Sequence, residues 1–303
     1  RGFQLIKNNP AIAVSRIVIA LVISCIVGTV FLQLGNNQAA LQSVPGALFT
    51  VATVPAFLAL ASLPTHFTNR PVFYYQRSNQ YFHALPMIFA DIVVDLPMIM
   101  FESLIFATAT YWLIGLNSLF TRFLYFLLMV FCLDFIFIMV TRIGAFVFPT
   151  FLIANITIPP MIFWLNNFSG FRVREHRAPV YLQWLFNVSP FRFVLEGITI
   201  NEFVGREFEC DDDELVPQND DPLLHVPYDQ GGYEGNQLCP ITTGDQYLFV
   251  NSFETELSYI WELFGYLLIF MALGLLFSYL TSYLEYKPRT LRDIKRHNER
   301  RSL

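Results

Sequence analysis

Six long apolar runs constrain this chain more than any other feature: residues 11–34, 44–66, 86–114, 119–140, 143–168 and 257–284. Each supplies the roughly 20 residues that a helix needs to cross about 30 Å of hydrocarbon, where every backbone N–H and C=O must be satisfied within the segment. None alternates polar and apolar residues over strands of about 10 residues, which excludes an outer-membrane barrel. The first run is too long for a signal peptide and has no small-residue cleavage site. Of 303 residues, 54% are hydrophobic and only 14% charged, far from the balance of a soluble domain. The expectation is an all-α membrane protein with six transmembrane helices.

Orientation follows from the basic residues, which are held back on the cytoplasmic side. With the N-terminus inside, Arg1, Lys7, Arg16, Arg70, Arg77, Arg142 and the tail from Lys287 to Arg301 fall on cytoplasmic segments, and among the short outer loops only Arg122 is misplaced. Both termini are then cytoplasmic. Because the chain starts at Arg1 and not at Met, it is expected to be a segment of something longer.

The long outer segment, 169–256, carries most of the acids, including Asp211-Asp212-Asp213-Glu214. Adjacent carboxylates attract hard cations, but the alternating ligands and the Gly of an EF-hand loop are missing, so a solvated acidic loop is the simpler reading. Cys25 and Cys132 lie inside apolar runs, whereas Cys210 and Cys239 both lie in the outer segment. On an oxidising face these two are expected to form a disulfide, worth on the order of 3 kcal/mol through restriction of the unfolded chain; two free thiols are the alternative.

Several chemistries are excluded. The lysines are Lys7, Lys287 and Lys295, none after a glycine, so the segment has no GxxxxGK[ST] phosphate loop and no P-loop ATP site of its own. His66, His83, His176, His225 and His297 are scattered, without HExxH or paired-Cys spacing, and no metal site is expected. There is no GxSxG elbow and no span with arginine at every third position, as a voltage sensor requires. The basic tail, immediately inside the last run, fits anionic lipid headgroups better than nucleic acid.

Polar groups interrupt the apolar pattern in two places. The island TNRPVFYYQRSNQYFHALP, residues 68–86, follows the second run on the cytoplasmic side, between Pro64 and Pro86. Prolines punctuate helices without forbidding a short one between them. A short helix along the membrane is expected, exposing arginines and aromatic rings of the kind enriched where one protein presses on another; an ordinary inner loop with interfacial anchors is the alternative. Glu102 and Asp134 lie well inside the third and fourth runs, at similar depth. Carboxyls there are costly, and are paired, protonated or functional, so these two either orient the bundle through a polar contact or take part in the working cycle. Arg122 and Arg142, nearer the ends of the fourth run, could reach toward them only by snorkelling.

Three stretches carry a family resemblance. NRPVFYYQRSNQYFHALPMIFADIVVDLP, residues 69–97, keeps Arg70, Val72, Phe73, Arg77, Ala90, Asp95 and Pro97 of the first intracellular loop and third-span entry in the G subfamily of ATP-binding-cassette (ABC) transporters. FSGFRVREHRAPVYLQWLFNVSPFRFVLEGITINEF, residues 168–203, is similar to the end of that family's fifth span and its re-entrant helices. LCPITTGDQYL, residues 238–248, is similar to the stretch before its last span. Together they cover the chain in the family's order, so it resembles the membrane domain of the white, multidrug and pleiotropic-drug-resistance group, of ABC-2 type.

The resemblance implies an exporter fold with an elbow segment at 1–10, spans one to five within 11–168, a coupling helix near 68–85, re-entrant helices near 180–203, an extracellular cap and a sixth span at 257–284. It implies ATP-driven export of hydrophobic or amphipathic molecules, such as lipids, sterols or drugs, by alternating access at a plasma membrane. ATP and Mg2+ belong to a nucleotide-binding domain outside this segment, touched by Arg70, Phe73 and Arg77 of the coupling helix. A second transmembrane domain, identical, different or on the same chain, completes the pathway. By position, Thr53 and Phe57 on span two and Phe163 on span five fall in the substrate slot, with Phe171 at its gate. Pro159-Pro160 in span five fits a kinked, cavity-lining helix. Asn69 and Gln76 depart from the family's acids in the coupling loop, and Arg172 stands where a second apolar gate residue is usual. The alternative function is an ATP-independent six-helix channel, or a membrane scaffold that binds partners through its outer loop.

Overall fold

In the computed structural model, residues 10–78, 84–173, 178–210, 214–217 and 238–284 are described. The expected elbow before residue 10, positions 79–83 of the island, the acids 211–213 and the tail 285–303 lie outside them. The described elements are α1 (Pro10–Val30), α2 (Gln38–Leu58), a 3-10 turn (Ala59–Ser62), α3 (Leu63–Ser78), α4 (Ala84–Ile114), α5 (Phe120–Val147), α6 (Phe151–Asn166), α7 (Trp184–Val188), α8 (Pro190–Phe203), α9 (Gly244–Val250) and α10 (Tyr259–Leu284).

The bundle is built around α5. This helix is apolar all round, as a helix with no solvent face must be, and 72% of its apolar window is buried against 17% in α10. It packs against α2, α3, α4, α8 and α10, with Met129, Leu133, Phe137 and Ile138 fully enclosed. Among the described residues, four helical stretches are long and apolar enough to cross a membrane: Gln38–Arg77, Leu85–Ile114, Phe120–Val147 and Tyr259–Leu284. The helix of the fifth run is shorter, Phe151–Asn166, and α1, Pro10–Val30, stops short of the end of its run.

The shortening has local causes. Past Val30 the chain leaves the helix through Gln33, at φ 48, and pairs with the end of α4: Gln33 N donates to Leu113 O at 2.9 Å and Leu34 N to Ile114 O at 2.8 Å. The fifth run loses its start to α5, which continues through Arg142 to Val147, whereas the sequence pattern ended it near residue 140. The turn comes instead at Phe148-Pro149, since the residue before a proline disfavours the helical region. Thr150 then caps α6, its hydroxyl accepting from Ile153 N at 3.4 Å.

Arg142 does not break α5 because it finds a carboxylate. Its guanidinium pairs with Asp95 on α4 and lies 3.9 Å from Asp91. Seven residues further along α4, Glu102 pairs with Arg16 of α1, both side chains being nearly fully buried. The charge count had assigned Arg16 to the cytoplasmic flank; the structure puts it inside the α1–α4 contact. Neither Arg142 nor Arg122 is the partner of Glu102. Ser103, the next residue, donates to Asp134 Oδ2 of α5 at 3.1 Å, so the two carboxyls expected at similar depth belong to one buried cluster joining α1, α4 and α5.

The segment between α8 and α10 is fastened to the bundle at several points. Cys210 and Cys239 form a disulfide, with Cα atoms 5.9 Å apart. Beside it, Val216 and Leu238 make an isolated antiparallel bridge, and the Glu214 carboxylate accepts from Gln38 N at 2.9 Å and Ala39 N at 2.8 Å. These amides open α2, where backbone N–H groups lack intrahelical partners and the helix dipole favours an anion. A side chain at Gly244, the first residue of α9, would put its Cβ 1.9 Å from Phe203 O, so the approach of α9 to the end of α8 requires glycine.

Two stability outcomes follow, both measured by thermal unfolding in detergent. Replacing Arg16 by Ala leaves Glu102 buried without its cation and destabilises by about 3–5 kcal/mol, while Arg16→Met combined with Glu102→Leu recovers most of that loss. Gly244→Ala forces backbone apart and destabilises by about 1–3 kcal/mol.

Candidate functional site

At one end of the bundle, α2 and α6 carry an aromatic cluster. Phe49, Thr53 and Phe57 follow one another at four-residue steps and so share a stripe of α2. The Thr53 hydroxyl donates to Phe49 O at 2.7 Å and lies 3.3 Å from Asn166 Oδ1, across on α6. Asn166 is buried, so this contact sits under the cluster and not on its rim. Beyond α6, Gly170 at φ 88 turns the chain back, and Phe171 stacks on Phe49 with centroids 4.8 Å apart. The Arg172 guanidinium covers two rings, 5.1 Å from the Phe49 centroid and 5.6 Å from that of Phe163.

Thus Thr53 and Phe171 contact Phe49, and Arg172 bridges Phe49 to Phe163. Phe57 lies one turn further down α2 and is 37% exposed; it stands apart from the ring cluster. Phe49 and Asn166 were not singled out from the sequence. Phe49 was within reach of the pattern, one helical turn before Thr53, but Asn166 looks like any polar residue at a helix end until the helices are packed. The double proline lies within α6, whose buried stripe is Ala154, Ile158, Ile162 and Asn166. The remaining faces, including Ile156, Phe163 and Trp164, are about half exposed or more.

At the opposite end, α3 carries the island. It is not a detached helix: the stretch Gln38–Arg77 is helical throughout, α2 passing into α3 through the 3-10 turn. Ser62 in that turn lies 2.9 Å from Thr141 of α5, hydroxyl to hydroxyl. Phe73, expected on the exposed side, is 3% exposed and packs edge-on against Phe146 at 5.3 Å. Both arginines turn inward as well. Arg70 donates to Phe148 O at 2.7 Å and to the Tyr74 hydroxyl at 3.2 Å. Arg77 donates to Ser282 O at 2.5 Å and Tyr283 O at 3.3 Å, its guanidinium 4.9 Å from the Tyr283 ring centroid. Phe148 closes the C-terminal end of α5, where a helix lacks donors and favours a cation, and Ser282 and Tyr283 belong to α10. The outward face of α3 is left to Asn69, Val72 and Tyr75, all exposed.

A third polar assembly holds the end of α8. Glu202, near the end of α8, accepts from Asn117 N at 3.1–3.2 Å and from Arg206. Burial pushes its carboxyl up to about 7, although Arg206 and the Asn117 amide pull the other way. Arg122, the apparent exception to the charge rule, donates to Asn201 O at 2.9 Å and Val204 O at 3.1 Å. It caps the C-terminal end of α8, which gives this arginine a structural role. Among the described residues no three His, Cys, Asp or Glu side chains gather as a metal site.

The comparisons agree with this architecture. The family model for the ABC-2 type transporter matches residues 1–203. ABC transporter G family member 5 of Dictyostelium discoideum is 32% identical over 247 residues, which is 81% of this chain and 16% of that protein. Member 2 from the same organism is 29% identical over 280 residues, 92% of this chain and 21% of the relative. ABC multidrug transporter H of Aspergillus fumigatus is 24% identical over 276 residues, 90% of this chain and 19% of the relative. The chain thus spans about a fifth or less of the length of these relatives. With four apolar helices able to cross a bilayer and a family match over two-thirds of its residues, the chain belongs to the ABC-2 type transporter family, as a membrane domain of the ABC transporter G kind.

Proposed function

We propose that this segment is the membrane-spanning part of an ATP-driven exporter for hydrophobic or amphipathic solutes, with both termini in the cytoplasm. Two such bundles face each other, and the solute passes between their α2 and α6 helices. ATP and Mg2+ are bound and hydrolysed by a nucleotide-binding domain outside these residues. That domain presses on the exposed face of α3, and the bundles alternate between inward and outward openings.

The observation that carries this reading is the helical stretch Gln38–Arg77. At about 1.5 Å per residue it follows a path of about 60 Å, with the aromatic stripe near one end and the arm at the other. A displacement of α3 therefore has a stiff route to the mouth. Phe73 packed on Phe146 and Arg77 on the end of α10 hold the arm's inner face to the bundle, so a push on its outer face moves packed helices and not a loose loop. The mouth itself is lined by rings, which suits an apolar solute. Among the relatives, one is named a multidrug transporter.

The test is Val72→Glu in the protein with its ATP-binding domain. Val72 is 47% exposed on α3, so a carboxylate there leaves folding intact but places a charge in the proposed contact. Solute-stimulated ATP turnover is expected to fall by about ten-fold or more, the loss typical of an interface anchor. Unchanged stimulation rejects α3 as the docking arm. A parent protein that moves solute without ATP supports the channel alternative instead.

A further inference from the structure

Among the described residues, the arginines of the bundle and its outer face have partners that account for them. Arg16 pairs with Glu102, Arg142 with Asp95, Arg192 with Glu196 and Arg206 with Glu202, while Arg70, Arg77 and Arg122 donate to backbone carbonyls. Arg172 differs. It donates one hydrogen bond, to Asn167 Oδ1 at 3.4 Å, and no carboxylate of the described residues lies within ion-pair distance of it. A guanidinium has five N–H donors in a planar fork suited to carboxylate and phosphate. Its faces are held by Phe49 and Phe163, at 5.1 and 5.6 Å, so the group is oriented but its charge is not answered. Ring faces attract a cation by about 0.5–2 kcal/mol and bring no counter-charge.

Next to this cation lies apolar surface of the same mouth. Phe163 is 50% exposed and Phe171 is 44% exposed, offering ring faces to a hydrocarbon tail within reach of the guanidinium. Resting on the exporter reading above, we infer that Arg172 is the specificity-determining residue of the outer mouth, and that it selects amphiphiles with an acidic head, a carboxylate or a phosphate. The rings hold the tail and position the fork; the fork takes the head by charge-assisted hydrogen bonds. Neutral or cationic amphiphiles of equal tail length forfeit that contact.

The experiment uses the protein with its ATP-binding domain in phosphatidylcholine vesicles, and reads the concentration of probe that half-maximally stimulates ATP turnover. The probes are dodecyl phosphate, dodecanol and dodecyltrimethylammonium. For the parent, dodecyl phosphate is expected to act at about ten-fold lower concentration than the other two, the value of one good charge-assisted contact. Arg172→Leu erases the difference, and Arg172→Lys keeps part of it, since charge remains but the planar fork is lost. A parent indifferent to the head group, or a preference that survives in Arg172→Leu, overturns the inference alone. Suppression of the preference by inorganic phosphate, or by phosphatidylglycerol in the vesicles, assigns the cation to a free anion or a resident lipid and also overturns it. A parent that hydrolyses ATP and responds to no probe overturns the exporter reading, and this inference with it.

Discussion

Carbonyl groups at the ends of helices have no partners within the helix, and near hydrocarbon they cannot borrow water. In this chain arginines answer them. Arg70 bonds Phe148 O after α5 and Arg122 bonds Asn201 O and Val204 O at the end of α8, while Arg77 bonds Ser282 O and Tyr283 O of α10 and Arg206 bonds Gly35 O in the loop before α2. Every one of these donors comes from a different element than the acceptor, so each cap is also a tertiary tie. Helix α3 owes its position to two of them, and the end of α8 is tied by a third.

Inside the bundle the same logic applies to full charges. Asp95 and Glu102 lie seven residues apart on α4, and each meets an arginine from a different neighbour, Arg142 from α5 and Arg16 from α1. A buried carboxylate without its cation is costly, whereas the intact pair contributes little net stability over well-packed apolar groups. What the pairs supply is register. A helical slip of α1 or α5 along α4 leaves a charge stranded in apolar surroundings, although apolar packing alone would tolerate several offsets.

Length and hydropathy made the long spans legible, since a run of apolar residues that must satisfy its own backbone has few alternatives to a helix. Where a helix stops was harder to read. Arg142 looked like a boundary because an arginine in hydrocarbon is expensive, and only the presence of Asp95 forty-seven positions away makes it an interior residue. Arg16 was read only as a flanking charge because its partner, Glu102, is remote in sequence. The island's position was legible, but its inner and outer faces were not. Phe73 and Val72 are adjacent and both apolar, and which one is buried depends on Phe146 arriving from α5. At the mouth, the family pattern supplied Thr53, Phe163 and Phe171, whereas Phe49, Asn166 and the stacking of Arg172 arise from how α2 and α6 pack.

The functional account rests on α2 and α3 moving as one stiff element between the mouth and the arm. Pulsed dipolar spectroscopy between spin labels at Phe57 and Val72, on either side of the 3-10 turn, tests this directly. Fifteen residues of helix separate the labels by about 22 Å. The account predicts a single distance that is the same without nucleotide and with a non-hydrolysable ATP analogue. A shift of several ångströms, or a second population on adding the analogue, means that the element bends at Ala59–Ser62 and contradicts it.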